Sequence, residues 1–183
     1  MTEVRRQKAA RRILAGLVAC GVLLVAWGLS LAFADEGNID TTNKYAWSEN
    51  AGWQNYRPTH GGATVTNSGV YGYIWLENVG WIKLAYDSNP PYENTSSTDW
   101  GVNNDGSGNL SGYAWSENAG WINLHPTHSQ VTINTSTGEF DGYGWSENLG
   151  WVHFKNASPA YNVQTTADLT GPTLDSITWT DVD

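Results

Sequence analysis

The chain contains the nine-residue sequence Tyr113-Ala-Trp-Ser-Glu-Asn-Ala-Gly-Trp121 four times in all, with small changes between copies. The other copies are Tyr45–Trp53, Tyr73–Trp81 and Tyr143–Trp151, and the four together hold eight of the eleven Trp. A short motif that recurs in this way predicts a fold in which one supersecondary unit is used several times.

Each copy is predicted to be a β-hairpin. Aromatic residues flank a Ser-Glu-Asn-x-Gly stretch, in which the Gly supplies the positive φ of a tight turn and the Asn adopts the left-handed conformation or bonds to the backbone. The turn residues in question are Gly52, Gly80, Gly120 and Gly150, with Asn50, Asn78, Asn118 and Asn148.

Further strands are predicted between the hairpins. The clearest are Val131–Ile133 and Phe140–Trp145, which are joined by a turn at 134–138, and Ala63–Thr66 followed by Val70–Trp75 repeats this pattern. Several short strands with regular turn signals are typical of an all-β domain.

A longer period indicates a duplication. Pro58-Thr-His60 recurs as Pro126-Thr-His128, and the first and third motifs are identical. We therefore expect an all-β fold of antiparallel hairpin repeats, with four Trp-rich hairpins and intervening strands. The two halves of the domain should be related by a pseudo-two-fold axis, and the repeats should be arranged as a stack or a sandwich. The β-repeat domain is predicted at 35–167, with double repeats at about 45–112 and 113–167.

Side chains alternate between the two faces of a strand. If Trp115 and Trp121 face each other, Asn123 shares their side, and Ile122 and Leu124 take the other side. The position of Asn123 is polar in every copy and that of Leu124 is apolar. We therefore predict that the Leu124 face forms the core and that the Trp face is half buried, with one edge exposed to solvent.

The first 34 residues are predicted to be a secretory signal peptide. Five basic residues precede an apolar run from Ile13 to Phe33, and Ala32-Phe-Ala34 offers a small-x-small cleavage site. The run is also long enough for an uncleaved membrane anchor, which is the alternative. The only cysteine, Cys20, lies here, so the remaining chain has no disulfide. The expected location is extracellular or at the cell surface, with the periplasm as an alternative.

Without this segment, four basic and seventeen acidic residues remain, which gives a formal charge of −13. Such a surface argues against nucleic acid or an anionic membrane as a partner. Any contact with a membrane is expected only through an uncleaved N-terminal segment. At the other end, residues 168–183 are predicted to be a linker and the start of a further, truncated β-domain.

The sequence Gly-Tyr-Ala-Trp-Ser-Glu-Asn-x-Gly-Trp-Ile-x-Leu resembles a repeat of exported bacterial proteins of unknown function. The resemblance covers Tyr45 to about Tyr161 and implies a secreted or cell-surface bacterial protein, without implying an activity. A looser likeness is to choline- and glucan-binding cell-wall repeats, which also pair a Gly-Trp step with a Trp-rich hairpin. Their regular Trp-Tyr-Tyr signature is absent from this chain.

The rows of aromatic residues suggest that the protein binds glycans. Sugar rings stack their C–H faces on Trp and Tyr, while neighbouring polar side chains bond the hydroxyls. The candidate ligand-binding residues are Trp47, Trp53, Trp75, Trp81, Trp115, Trp121, Trp145, Trp151, Asn55, Lys83, Asn123 and His153. The partner would be a glycan or a cell-envelope polymer. The alternative is a structural spacer in which Trp only fills a small, disulfide-free core.

Enzymatic activity is not expected. A glycosidase needs two carboxyl groups in one cleft with unequal environments, whereas this chain has one equivalent glutamate in each repeat. A secreted hydrolase is therefore the least favoured function class. No cofactor or metal site is predicted, although Asn103, Asp105, Ser107 and Asn109 alternate like part of a calcium loop. That stretch lacks the closing acidic residue, and Asp-Gly is equally suited to a hairpin turn.

Overall fold

Fourteen short strands and no helix make up the part of the chain that the computed structural model describes, residues 37–171. These residues fall within one compact unit, Ala34–Asp183. The predicted signal peptide and most of the predicted C-terminal segment lie outside the described residues. The strands are β1 (Ile39–Ser48), β2 (Gly52–Asn55), β3 (Gly62–Val65), β4 (Gly69–Leu76), β5 (Gly80–Lys83), β6 (Val102–Asn104), β7 (Leu110–Ser116), β8 (Gly120–Asn123), β9 (Thr132–Ile133), β10 (Phe140–Asp141), β11 (Tyr143–Ser146), β12 (Gly150–His153), β13 (Lys155–Ala157) and β14 (Ala160–Thr165).

The four motifs form the four hairpins β1–β2, β4–β5, β7–β8 and β11–β12, all antiparallel. The turn glycines have the expected positive φ, which ranges from 69° at Gly150 to 98° at Gly80. Neighbouring hairpins pair with one another, and β12 also pairs with β1. The prediction of antiparallel hairpin repeats is therefore confirmed, and the eight hairpin strands close into a ring.

A second set of antiparallel strand pairs extends the ring at the end away from the turns. The pairs β3–β4, β6–β7 and β9–β10 supply three of them, and β14 with β1 supplies the fourth. Isolated bridges at Asn109–Thr132 and Glu139–Gln164 link neighbouring pairs. The first and last described strands therefore pair with each other.

The inside of the ring is the hydrophobic core. Ile74, Ile82, Val152 and Phe154 are each no more than 1% exposed, and Ile122 and Leu124 are also buried. The cross-strand register places Trp115 opposite Trp121 and Tyr113 opposite Asn123, on the outer face. The predicted division of the two faces is confirmed.

The loops between hairpins alternate in a way that fits the duplication. After the first and third hairpins, Pro58 and Pro126 carbonyls accept hydrogen bonds from Gly61 N (3.3 Å) and Ser129 N (3.1 Å). After the second and fourth hairpins, longer segments bring an aromatic ring onto the outer face of the next hairpin. These are Trp100, at 5.2 Å from Trp121, and Tyr161, at 5.1 Å from Trp53.

Among residues 37–171 there is no helix with the length and hydrophobicity of a membrane span.

Candidate functional site

The two Trp of each motif pack against each other on the outer face of the sheet, edge-to-face in the first, second and fourth motifs and tilted in the third. Their ring centroids lie 4.7 Å apart for Trp115 and Trp121, at an angle of 59°. The other three pairs are 4.8, 5.1 and 4.9 Å apart at 64–76°. Such aromatic pairs contribute about 0.5–1.5 kcal/mol each beyond the area they bury. The Trp pairs therefore contribute to the stability of the hairpins.

The twelve predicted binding residues lie on one continuous surface, which we call the aromatic belt. The polar residue of each hairpin pairs in register with the first Trp of the next hairpin. These pairs are Asn55–Trp75, Lys83–Trp115, Asn123–Trp145 and His153–Trp47. The tyrosine that opens each motif lies across its own hairpin from the polar residue; these are Tyr45, Tyr73, Tyr113 and Tyr143. Because the sheet is closed, the belt runs around the whole ring.

The belt is half exposed. Trp121 is the most open of its indole rings at 47% exposure, followed by Trp81 at 42%. The first hairpin is more covered, because Tyr161 packs edge-on against Trp53. The Trp rings are thus neither buried as core residues nor laid out in one plane, since each is tilted against its partner.

The four polar residues of the belt have partners within the protein. Asn55 Oδ1 accepts from Arg57 N and Asn123 Oδ1 accepts from His125 N, both at 2.9 Å. Lys83 Nζ donates to Tyr86 O at 2.7 Å. These hydrogen bonds hold the local turns, and the role of the three residues as glycan contacts stays a prediction.

His153 is the fourth polar residue and lies among aromatic rings. It stacks on Tyr143 at 4.1 Å, and its Nδ1 is 3.0 Å from the hydroxyl of Tyr161. Desolvation lowers the pKa of His153, and the nearby Asp141 opposes this shift. The imidazole is therefore held in its neutral form more firmly than an exposed histidine would be.

The Ser-Glu-Asn-x-Gly stretch that recurs in the hairpins has a structural role at the end of the ring where the hairpin turns lie. The Asn side chain of one turn donates to the carbonyl of the x residue in the preceding turn: Asn78 to Ala51 (3.1 Å), Asn118 to Val79 (2.7 Å) and Asn148 to Ala119 (3.1 Å). At the fourth junction, Ser48 Oγ donates to Leu149 O at 2.7 Å. The Glu of each turn is exposed.

Four open cavities adjoin the belt, and the smallest, of about 280 Å³, is lined by Glu49, His128, Ser129, Tyr143 and Trp151. The groove between the second and third hairpins has a volume of about 630 Å³ and is lined by Trp75, Trp81, Lys83, Trp115 and Glu117, among others. A similar groove of about 340 Å³ lies between the third and fourth hairpins.

The third cavity, of about 540 Å³, is not formed by two hairpins. It lies between the third hairpin and the loop 94–97, and we call it the loop cleft. Its lining residues are Asn94, Thr95, Ser96, Ser97, Trp100, Tyr113 and Trp121. Sequence reasoning missed this loop and Trp100, because neither belongs to the repeat and nothing local indicates that they reach the next hairpin.

The stretch that resembled a calcium loop is the turn between β6 and β7. Asp105 Oδ1 accepts from the backbone N of Ser107 (2.8 Å) and Asn109 (3.1 Å), and Oδ2 accepts from Asn109 Nδ2 (2.7 Å). These hydrogen bonds lower the pKa of Asp105. Within residues 37–171, no group of three or more His, Cys, Asp or Glu is arranged to hold a metal ion.

Comparison with protein-family models, with curated proteins and with solved structures finds no match to this chain.

Proposed function

We propose that this protein is a non-enzymatic, exported surface or adhesion module that binds glycans through the aromatic belt. The observation that carries the proposal is the half-exposed state of the belt. Trp121, Trp81 and Tyr73 keep 47%, 42% and 45% of their surface open. A protein that needed these rings only for packing would gain more by burying them, at about 25 cal/mol for each Å² of apolar surface.

The chemistry of the belt suits carbohydrate. Indole and phenol rings offer flat apolar surfaces to the C–H faces of sugars, and hydroxyl and amide groups beside them can bond sugar hydroxyls. The volumes of the two larger cavities, about 630 and 540 Å³, fall in the usual range for small-ligand sites. The formal charge of −13 beyond residue 34 disfavours polyanions as the ligand.

A structural spacer is the second candidate function. The specific observation in its favour is that each Trp packs against its partner at 59–76° and that all four polar belt residues have internal partners. In that case the belt would serve only to hold the hairpins together.

A binding experiment separates the two candidates. The purified full chain is screened on a glycan array, and hits are titrated while Trp fluorescence is recorded. We expect weak binding, with Kd between about 1 μM and 1 mM, that is about −8 to −4 kcal/mol. Absence of binding to every glycan by the folded protein would leave the spacer as the surviving function.

A matched pair of variants tests whether glycans bind to the part of the belt that lines the cavities. Tyr113→Ala removes a ring that lines both the loop cleft and the groove beside the fourth hairpin, whereas Tyr45→Ala removes the equivalent ring of the first hairpin, which lines neither. The two tyrosines are similarly exposed, at 40% and 37%. Tyr113→Ala should weaken binding about three- to tenfold, as expected for the loss of one stacking ring, and Tyr45→Ala should leave it nearly unchanged.

A further inference from the structure

The loop cleft differs in chemistry from the rest of the belt. None of its seven lining residues carries a charge at neutral pH. The groove between the second and third hairpins, by contrast, is lined by both Lys83 and Glu117. Burying an unpaired charge against an uncharged lining is costly, so the cleft disfavours ionised ligands.

One wall of the cleft is a fixed aromatic platform. Trp121 is held by ring contacts with Trp100 at 5.2 Å, Trp115 at 4.7 Å and Tyr113 at 6.1 Å. Trp100 itself is only 7% exposed and so is anchored in the fold. Trp121 nevertheless remains the most exposed Trp of the belt. A rigid ring with one open side loses little conformational entropy when a ligand stacks on it.

The opposite wall is a short loop that its own hydrogen bonds hold in shape. Asn94 has a φ of 57°, its Oδ1 accepts from Gly101 N at 3.0 Å, and its Nδ2 donates to Tyr92 O at 3.2 Å. The Asp99 carboxylate accepts from Glu93 N at 3.2 and 3.1 Å. The base of the loop is therefore fixed by side chains that do not depend on a ligand.

The tip of this loop presents unused polar groups. Thr95 and Ser97 are exposed, and their hydroxyls make no hydrogen bond within residues 37–171. Both residues line the cleft opposite the aromatic wall. A hydroxyl can donate and accept, as the hydroxyls of a sugar do. The cleft thus combines a flat apolar wall with uncharged hydroxyl groups.

The cleft occurs once in the ring. The equivalent place over the first hairpin is covered by Tyr161, which packs against Trp53 at 5.1 Å and is in contact with His153. The short Pro-Thr-His loops lie over the second and fourth hairpins. The loop over the fourth hairpin borders a smaller cavity of about 280 Å³, which differs from the cleft because the carboxylate of Glu49 lines it. A ligand specific for the cleft would accordingly bind with one site per chain.

We propose that the loop cleft is a single binding site for a neutral oligosaccharide, with one sugar ring stacked on Trp121 and hydroxyls bonded by Thr95 and Ser97. This inference rests on the proposed glycan-binding function and narrows it to one site and one ligand class. Acidic polysaccharides such as polyuronates are disfavoured, because no lining residue is a cation and the Lys83 ammonium, 5.8 Å from the Trp100 ring, already donates to Tyr86 O.

The test uses isothermal titration calorimetry on the purified full chain. The probes are neutral oligosaccharides (cello-, malto-, xylo- and chito-oligomers), with oligogalacturonate as the acidic comparison. We expect one site per chain for at least one neutral oligomer and weaker or no binding of oligogalacturonate. Preferential binding of the acidic oligomer, or two or more equal sites, would overturn the assignment.

Matched variants then test the two walls. Trp121→Phe should weaken binding about three- to tenfold, whereas Tyr86→Ala, at an exposed ring outside both the belt and the cleft, should not. The double variant Thr95→Ala with Ser97→Ala should also weaken it at least about threefold, against Ser136→Ala on the exposed turn at 134–138 as the control. Circular dichroism checks that all variants are folded.

The outcomes separate the two proposals. Neutral-glycan binding that is equally unaffected by the changes at Trp121 and in the loop would refute the cleft and retain the glycan-binding belt. Failure of the folded wild type to bind any glycan would refute both. Selective loss in the Trp121 and loop variants supports both.

Discussion

Glycine plays two distinct roles in this chain at the scale of single residues. Gly120 ends a hairpin turn with a φ of 71°, and a Cβ there would meet only Asn148 Nδ2 at 3.8 Å. Gly112 lies within β7 with a φ of 81°, and a Cβ there would overlap the carbonyl oxygen of Gly101. Gly72 and Gly142 repeat the second role in β4 and before β11. The first role is conformational alone, and the second is also steric.

Replacing these two glycines by alanine should therefore have unequal effects. Gly120→Ala should cost about 1–2 kcal/mol of unfolding free energy, because an L-residue is strained at that φ. Gly112→Ala should cost on the order of 3 kcal/mol or more, because overlap with backbone is added to the same strain. Urea unfolding followed by circular dichroism measures both. Equal losses would show that β7 can shift to make room for the new methyl group.

At the scale of the element, each hairpin is held at its turn by its neighbour. The Asn of one turn reaches the backbone carbonyl of the turn before it, as Asn118 does with Val79. The junction between Asn148 and Ala119 has a second bond, because Ser146 Oγ donates to the same carbonyl at 3.2 Å. The turn sequence therefore contributes to packing between elements as well as to the hairpin itself.

Removing one such hydrogen bond should cost little unfolding free energy, and the cost should depend on whether a second bond to the same carbonyl remains. Asn118→Ala should lower the unfolding free energy by about 0.5–1.5 kcal/mol, the usual net worth of a hydrogen bond. Asn148→Ala should cost less, since Ser146 still bonds Ala119 O. Glu117→Ala, in the same turn as Asn118, serves as the control and should be close to neutral. Thermal and urea unfolding of the three variants give the ranking. If Glu117→Ala lowered the unfolding free energy as much as Asn118→Ala does, the contact between turns could not be the cause of the effect.

At the scale of the whole molecule, stability depends on closing the ring with the first and last described strands. β1 pairs with β2, with β12 and with β14, so it joins the beginning of the repeats to their end. Ile39 on this strand is fully buried and lies opposite Thr165. Thr165 Oγ1 in turn donates to Asn38 O at 3.0 Å. A closed sheet leaves no unpaired hairpin edge and makes each repeat depend on both neighbours.

Disturbing this junction should therefore affect all four repeats together. Ile39→Ala should lower the unfolding free energy by about 2–5 kcal/mol, as large-to-small changes in a core do, while Thr42→Ala on an exposed part of β1 should be nearly neutral. Unfolding should remain one transition, with coincident curves from Trp fluorescence and circular dichroism. Two separate transitions in the variant would indicate that the halves fold independently, as stacked repeats do.

The sequence alone determined the local features of the fold. The positions of the hairpins, their in-register Trp pairs and the division of faces followed from alternation of side chains along a strand, which is a local property. The positive φ at Gly120 followed from turn chemistry in the same way. The candidate aromatic residues were also predictable, because they repeat with the motif.

Only the tertiary structure decided how the repeats join and what the polar belt residues do. Closure depends on the pairing of β12 with β1, which are about 100 residues apart and carry no local signal for it. The hydroxyl beside His153 comes from Tyr161, outside the motif, whereas Lys83 finds its partner only three residues along the chain, at Tyr86 O. The loop cleft likewise needs Trp100 to reach Trp121. Sequence periodicity reports which face a side chain takes, whereas contacts between distant segments depend on the closed sheet that brings them together.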